Sequence, residues 1–256
     1  MKKLSLVLLA MLAFSFMGCQ GWLNTDDPTP EPEPEPNPEV EAVITLEETS
    51  VVLHSGDTCQ IQAECEFPIT YSSENEYYAT VSEEGLVTAN FVGATTINLE
   101  AEGDSKTFEV TIEPISNLYS EPEIEIGMSK DSIIGIFGEP VVEEDDILGF
   151  GDYSENTTML MVMFDEEDLV TDYAVILETS FEEELDTFLG ERYLFVQEQE
   201  GMKIYINALS LEETSMLIGS QSVEGEFLMV VYTNYTEEES KVKAESFKAI
   251  LKALGK

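Results

Sequence analysis

Basic residues are scarce in this chain: 11 Lys plus Arg stand against 53 Asp plus Glu, a formal net charge of −42 at pH 7. A surface of that sign repels phosphate backbones and anionic head groups, which argues against nucleic acid as a partner. Histidine is scarcer still. His54 is the only one, so a histidine metal cluster is excluded and any nucleophilic triad with a histidine base would have to use a residue at a strand end in "LHSGD". No apolar run reaches 18 residues, which leaves no stretch suited to a transmembrane helix. G-x-S-x-G and a phosphate loop are missing as well, and "GFG" at residues 149 to 151 lacks the rest of a dinucleotide fingerprint. With this inventory the chain reads as a non-enzyme that needs no cofactor and no metal.

Cysteine is nearly absent too, and each of the three has a distinct context. Met1, Lys2 and Lys3 precede an uncharged run from Leu4 to Phe16, 13 residues long. As a helix this run rises only about 20 Å, against the roughly 30 Å of a bilayer core, so it is read as an export signal. "FMGC" resembles the lipobox of bacterial lipoprotein signal peptides, with Phe16 where most carry Leu. The resemblance implies that residues 1–18 are a leader and that Cys19 is lipidated and becomes the N-terminus. Loss of Lys2 and Lys3 takes the charge from −42 to −44. The expected location is the cell envelope, with the outer membrane reached through a lipid anchor. In "TCQIQAEC", alternation places Cys59, Ile61, Ala63 and Cys65 on one face of a half-buried strand. Along a strand Cys59 and Cys65 stand about 20 Å apart, too far for a disulfide, so two buried free thiols are expected.

Six of the ten prolines fall between Pro28 and Pro38, in "PTPEPEPEPNP". Alternating proline with mutually repelling glutamate predicts an extended polyproline II stalk, so that residues 19–41 hold the folded part away from the lipid. From Ala42 short alternating strands follow, broken by turn residues: "AVITL", "SVVLH", "ITYSS", "YATVS", "LVTAN", "TTINLEAE", "TFEVTIE". This spacing predicts an all-β sandwich over residues 42–114. The stretch "YSSENEYYATVSEEGLVTANFVGATTINLEA" resembles the bacterial Ig-like domain of group 2, with Tyr71 where many members carry a core tryptophan. Gly85 is expected to make the tight turn that sets Val81 and Val87 on one core, and Gly93 to act in the same way before Ile97.

Residues 115–256 have a different texture. "IGMSKDSIIGIFGEP" predicts a capped helix with Ser129 as N-cap, Asp131 in the first turn, Ile133, Ile136 and Phe137 inward, Gly138 at the C-terminal stop and Pro140 beyond. Strand-like "ILGF", "TMLMVMF" and "DYAVIL" precede a second helix, "SFEEELDTFLGE", whose Leu185 and Phe188 correspond to Ile133 and Ile136 at an offset of 52. A hairpin turning at Glu200 and Gly201 follows, then "TSMLIGSQSV", "FLMVVYTNY" and a final helix from Glu237 to Leu254 burying Phe247, Ile250, Leu251 and Leu254. The expected class is α+β, helices on one face of an antiparallel sheet, arranged as two helix-plus-sheet units. "GMSKDSIIGIFGEP" is similar to the opening of outer-membrane-assembly lipoproteins of the SmpA/OmlA type and to tandem-repeat beta-lactamase inhibitory proteins.

Carboxylates are too abundant for their pairing to signal glycoside hydrolysis. The runs Glu143 to Asp146 and Asp165 to Asp168 lack the ligand order of an EF-hand loop and are read as solvated. All seven methionines after Cys19 lie in the second domain. Met159, Met161 and Met163 alternate with apolar neighbours, so their strand is apolar on both faces: either a second layer covers the methionines, or they form a partner-binding surface with Phe150 and Tyr205. Cover is the favoured alternative. The functional expectation is a lipid-anchored, non-catalytic envelope protein presenting a C-terminal domain that binds an envelope or extracellular protein or glycan. An assembly factor or inhibitor comes second and a carboxylate-based hydrolase third.

Overall fold

The computed structural model of the protein describes residues 42–235 except 152, 200 and 224. The described residues all belong to one compact unit. Cys19, the proline-rich stretch and the expected final helix fall outside the described residues. No described helix is long and apolar enough to cross a membrane.

Residues 42 to 112 form a β-sandwich. One sheet holds β2 (Ser50–Leu53), β9 (Asp104–Ile112), β8 (Gly93–Ala101) and β5 (Thr70–Ser73) in that order, with β2 parallel to β9. The other holds β3 (Thr58–Gln60), β7 (Leu86–Ala89) and β6 (Ala79–Val81), and a small ladder joins β1 (Thr45–Leu46) to β4 (Ala63–Glu64). Alternation drives the fold: Val87, Ala89, Ile97, Leu99, Phe108, Val110 and Ile112 point inward from successive strands and meet in one core. Gly85 closes a turn on the carbonyl of Ser82 at φ +78, which sets Val81 opposite Val87. The Tyr71 ring lies against Gly85, so close that a Cβ there would sit 2.8 Å from it. Cys59 and Cys65 are free thiols but half-buried, not fully buried as expected. The strand breaks between Gln60 and Ala63, and its two pieces pair with different partners, β3 with β7 and β4 with β1.

The rest of the described chain builds one eight-stranded antiparallel sheet. Its strands are β10 (Val142–Glu143), β11 (Ile147–Gly151), β12 (Thr157–Phe164), β13 (Val170–Glu178), β14 (Leu194–Gln199), β15 (Met202–Ile206), β16 (Met216–Val223) and β17 (Phe227–Asn234). The order β10-β11-β12-β13-β17-β16-β15-β14 is that of two four-stranded meanders joined where β13 pairs with β17. Helix α1 (Lys130–Phe137) precedes the first meander and α2 (Glu182–Gly190) the second.

This overturns the α+β expectation. Among the described residues there are two α-helices, of eight and nine residues, each about 13 Å long at most, beneath a sheet whose seven strand spacings extend roughly 34 Å. They do not make a helical layer, and the domain is a β domain. Much of the cover over its aromatic face is an irregular strap, in which Leu118, Tyr119 and Ile124 are buried against Tyr173, Phe188 and Tyr232. The α1 caps follow the sequence: Ser129 accepts from the Ser132 N–H, and Gly138, at φ +83, donates to the Ile134 carbonyl. Its inward face does not. Ile136 is 50% exposed, and Ile134 packs with Ile133 and Phe137 instead, because positions 133, 134 and 137 share the i, i+1, i+4 stripe that faces the sheet.

Two glycine substitutions separate backbone need from incidental glycine. At Gly93 (φ +148) a Cβ would lie 2.3 Å from the Tyr78 ring, so Gly93→Ala is expected to cost about 2 kcal/mol or more. Exposed Gly135, inside α1 with open space around it, is expected to gain roughly 0.5–1 kcal/mol on replacement by Ala. Urea unfolding of the two variants beside the parent checks both signs.

Candidate functional site

Helix α2 ends against the Ig-like sandwich, and the two residues after it, Glu191 and Arg192, join three parts of the chain. The Glu191 carboxylate, 4% exposed, accepts from the backbone N–H groups of Ile115 (2.7 Å) and Ser116 (3.0 Å) and from Arg192 Nη1 (2.6 Å). Its backbone carbonyl accepts the Val92 N–H of the sandwich at 2.8 Å. Arg192 stacks on the Phe188 ring, 3.8 Å from its centroid, and donates to the carbonyls of Phe188 (3.0 Å) and Ser116 (3.1 Å). Its Nε lies 3.6 Å from Glu121. The Arg192 carbonyl in turn accepts the Tyr77 hydroxyl of the sandwich at 2.6 Å. Each lone pair and N–H used here is satisfied by a different segment, which is what makes a buried ion pair tolerable.

Above this junction opens a cleft of about 700 Å³. One wall is the sandwich loop carrying Glu74, Glu76, Tyr77 and Tyr78. The other is formed by Tyr193, Asn207, Leu209 and Glu213, with Glu121 and Arg192 between them. Tyr77 is fixed by stacking on Phe91 (4.6 Å) and by the edge of Tyr78 (5.6 Å). Tyr193 donates its hydroxyl to Glu121. The Asn207 carboxamide accepts from the N–H groups of Ser215 and Met216, holding the loop that carries Leu209. The cleft offers aromatic rings and carboxylates, while the one guanidinium in it is engaged by carbonyls and Glu191. Such a surface fits a neutral or cationic polar ligand and disfavours an anion.

The residues expected to form a partner surface do not converge. Met159, Met161 and Met163 project to one sheet face, whereas Phe150, paired with Leu160, and Tyr205, paired with Ile218, project to the other. Met161, Met163, Phe150 and Tyr205 are buried and Met159 is half-buried. Burial pushes the Tyr205 phenol up to about 12. His54 is an exposed turn residue whose N–H is capped by Asp57 and whose Nδ1 lies 2.9 Å from the Glu113 carbonyl. Asp165 caps its own turn by accepting from the N–H groups of Glu167 and Leu169. Among the described residues no three His, Cys, Asp or Glu side chains gather at metal distance. Sequence reasoning missed Glu191 and Arg192, although one signal was there: Arg192 is the only arginine in the chain.

Removing Glu191 takes away the nearest counter-charge of Arg192 and leaves two backbone donors without their acceptor, so Glu191→Ala is expected to cost about 3–5 kcal/mol, whereas Tyr77→Phe, which loses one hydrogen bond, costs about 1 kcal/mol. Chemical denaturation measures both. Burial is the main cause that raises the phenols of Tyr77, Tyr119, Tyr153, Tyr173, Tyr193 and Tyr232, and the nearby Glu121 raises them further. Below about pH 10 these groups are neutral folded and unfolded, and their contribution is intact. Above it the unfolded chain ionises first, and each buried phenol removes up to roughly 1.4 kcal/mol per pH unit. Stability is therefore expected to be flat to about pH 9.5 and to collapse above pH 10, with tyrosinate absorbance at 295 nm rising in the same step as loss of ellipticity.

Residues 41–112 match the family model described as bacterial Ig-like domain (group 2). No curated protein matches the chain in sequence. Among solved structures it is similar to domains 1–6 of the surface layer protein SbsC, at 12% identity over 75% of this chain and TM-score 0.26. It spans 21% of that SbsC chain. An intimin mutant of EHEC O157:H7 shares 10% identity over 75% of this chain and 98% of its own, TM-score 0.24. The C-terminal domain of TagH shares 9% over 66% and 99%, TM-score 0.27. Likenesses of that order identify no ligand; the sequence match and the sandwich together make residues 41–112 a bacterial Ig-like domain of group 2.

Proposed function

We propose that this protein is a non-catalytic binding protein of the bacterial cell envelope, exported by residues 1–18, anchored through lipid on Cys19 and held off the membrane by its proline-rich stalk. The Ig-like domain and the eight-stranded domain act as one rigid head. Its binding site is the cleft between them, and the ligand is a protein or glycan surface of neutral or cationic character. The observation that carries the reading is the Glu191–Arg192 junction, which fixes a tyrosine- and carboxylate-lined cleft with one wall from each domain. The leader, the "FMGC" motif and the Ig-like family support the envelope assignment. A binding role is favoured because Tyr77, Tyr193 and Arg192 are engaged in holding the cleft's walls: Tyr77 on the Arg192 carbonyl, Tyr193 on Glu121, and Arg192 on two carbonyls and Glu191.

Detergent phase partition tests the anchor. The native protein is expected in the detergent phase, and Cys19→Ala is expected to move it to the aqueous phase. Digestion of intact cells with a protease too large to cross the envelope then places the head, beside a periplasmic control. Cleavage while the control survives points to an external ligand, protection until lysis to a periplasmic one, and a native protein that partitions with water refutes the anchored reading.

A further inference from the structure

The eight-stranded sheet has two faces, and the strap and both helices lie on the aromatic one. On the other face Ile147, Met161, Met163, Ala174, Ile176 and Met229 are each no more than 5% exposed. Every member of this second cluster comes from the strands themselves or their ends, so among the described residues no element lies over it. A sheet face turned to water keeps its side chains accessible; this one is closed.

We propose that the chain's own C-terminal segment, Glu237–Leu254, docks on this methionine face as an amphipathic helix. Connectivity favours it: β17 lies in the middle of the sheet and ends at Asn234, three residues before the segment begins. Length fits as well. The buried strip runs from β11 to β16, four strand spacings or about 19 Å, and 18 helical residues extend about 27 Å. Phe247, Ile250, Leu251 and Leu254 fall on one helical stripe, and Thr236 with Glu239 has the spacing of a capping box. Charge selects this segment over a second copy. Between Glu237 and Leu254 four lysines, Lys241, Lys243, Lys248 and Lys252, balance four glutamates, Glu237, Glu238, Glu239 and Glu245, in a chain of net charge −42, so two heads repel while this segment approaches the acidic body without net repulsion. Methionine suits such a seat, since its flexible thioether moulds to a helix ridge.

The full chain carrying Phe247→p-benzoylphenylalanine tests the docking by photo-cross-linking and peptide mapping, on a mixture of isotopically light and heavy protein. Light–light and heavy–heavy links from position 247 to the β12, β13 or β17 peptides are the expected result. Mixed light–heavy links, links to the Ig-like domain, or no links to these strands overturn the proposal. In Ile250→Asp/Leu251→Asp, peroxide is expected to oxidise Met161 and Met229 several-fold faster, while Met128 and Met216, packed on the aromatic face, keep their rates. Unchanged Met161 and Met229 rates overturn the proposal too. A rise at all four methionines reports loss of the fold in that variant, and the cross-link, formed in the folded chain, decides.

Discussion

Everything about the head's geometry depends on one buried ion pair between neighbours in sequence, Glu191 and Arg192. Taking both charges out of water costs several kcal/mol, and their attraction alone does not offset it. What offsets it is the set of bonds the two charged side chains make, Glu191 with the strap N–H groups of Ile115 and Ser116 and Arg192 with the Phe188 and Ser116 carbonyls, while the backbone carbonyls of the same two residues hold the sandwich through Val92 and Tyr77. Domains joined by a short linker ordinarily move against each other unless their interface is large. Here directional bonds to one dipeptide tie the two together.

The same economy of cations recurs elsewhere. Lys203 ties β15 to α2 through Asp186 at 2.5 and 2.6 Å, and Lys130 lies 5.5 Å over the Phe164 ring. Both are partly solvated and contribute at most about 1 kcal/mol each. A chain this acidic gains little from scattering its few positive charges over the surface. Placed at element ends, each neutralises local repulsion where two segments must meet, and the remaining acids stay solvated.

The sandwich was legible in the sequence because local rules suffice for it: alternation gives the inward residues, and Gly85 and Gly93 are required where a turn needs positive φ or where a tyrosine ring takes the place of Cβ. The caps of α1 were legible for the same reason. Ile136 was misread because a helix of two turns has no unique inward face until its neighbour is known. The α+β class failed because an irregular strap, which has no periodicity to detect, covers much of the aromatic face. The junction was invisible for a related reason. Its bonds join positions 75, 76 and 115 residues apart, and nothing local to "LGERY" distinguishes a helix end from the hub of two domains, except that its arginine has no second copy.

A cleft whose walls belong to different domains has a thermodynamic consequence. If the domains swung freely, a ligand touching both walls would have to order them on binding and would lose affinity by that amount. The Glu191–Arg192 pair removes that cost beforehand, since Tyr77 and Tyr193 are already held by hydrogen bonds before any ligand arrives. The arginine's role is therefore positional, and under the proposed binding role the contacts would fall to the tyrosine rings and to the carboxylates of Glu74, Glu76 and Glu213, which also line the cleft. On the proposed binding role, selectivity would follow from the sign of the rim, which favours neutral or basic groups over polyanions at the tyrosine-lined walls.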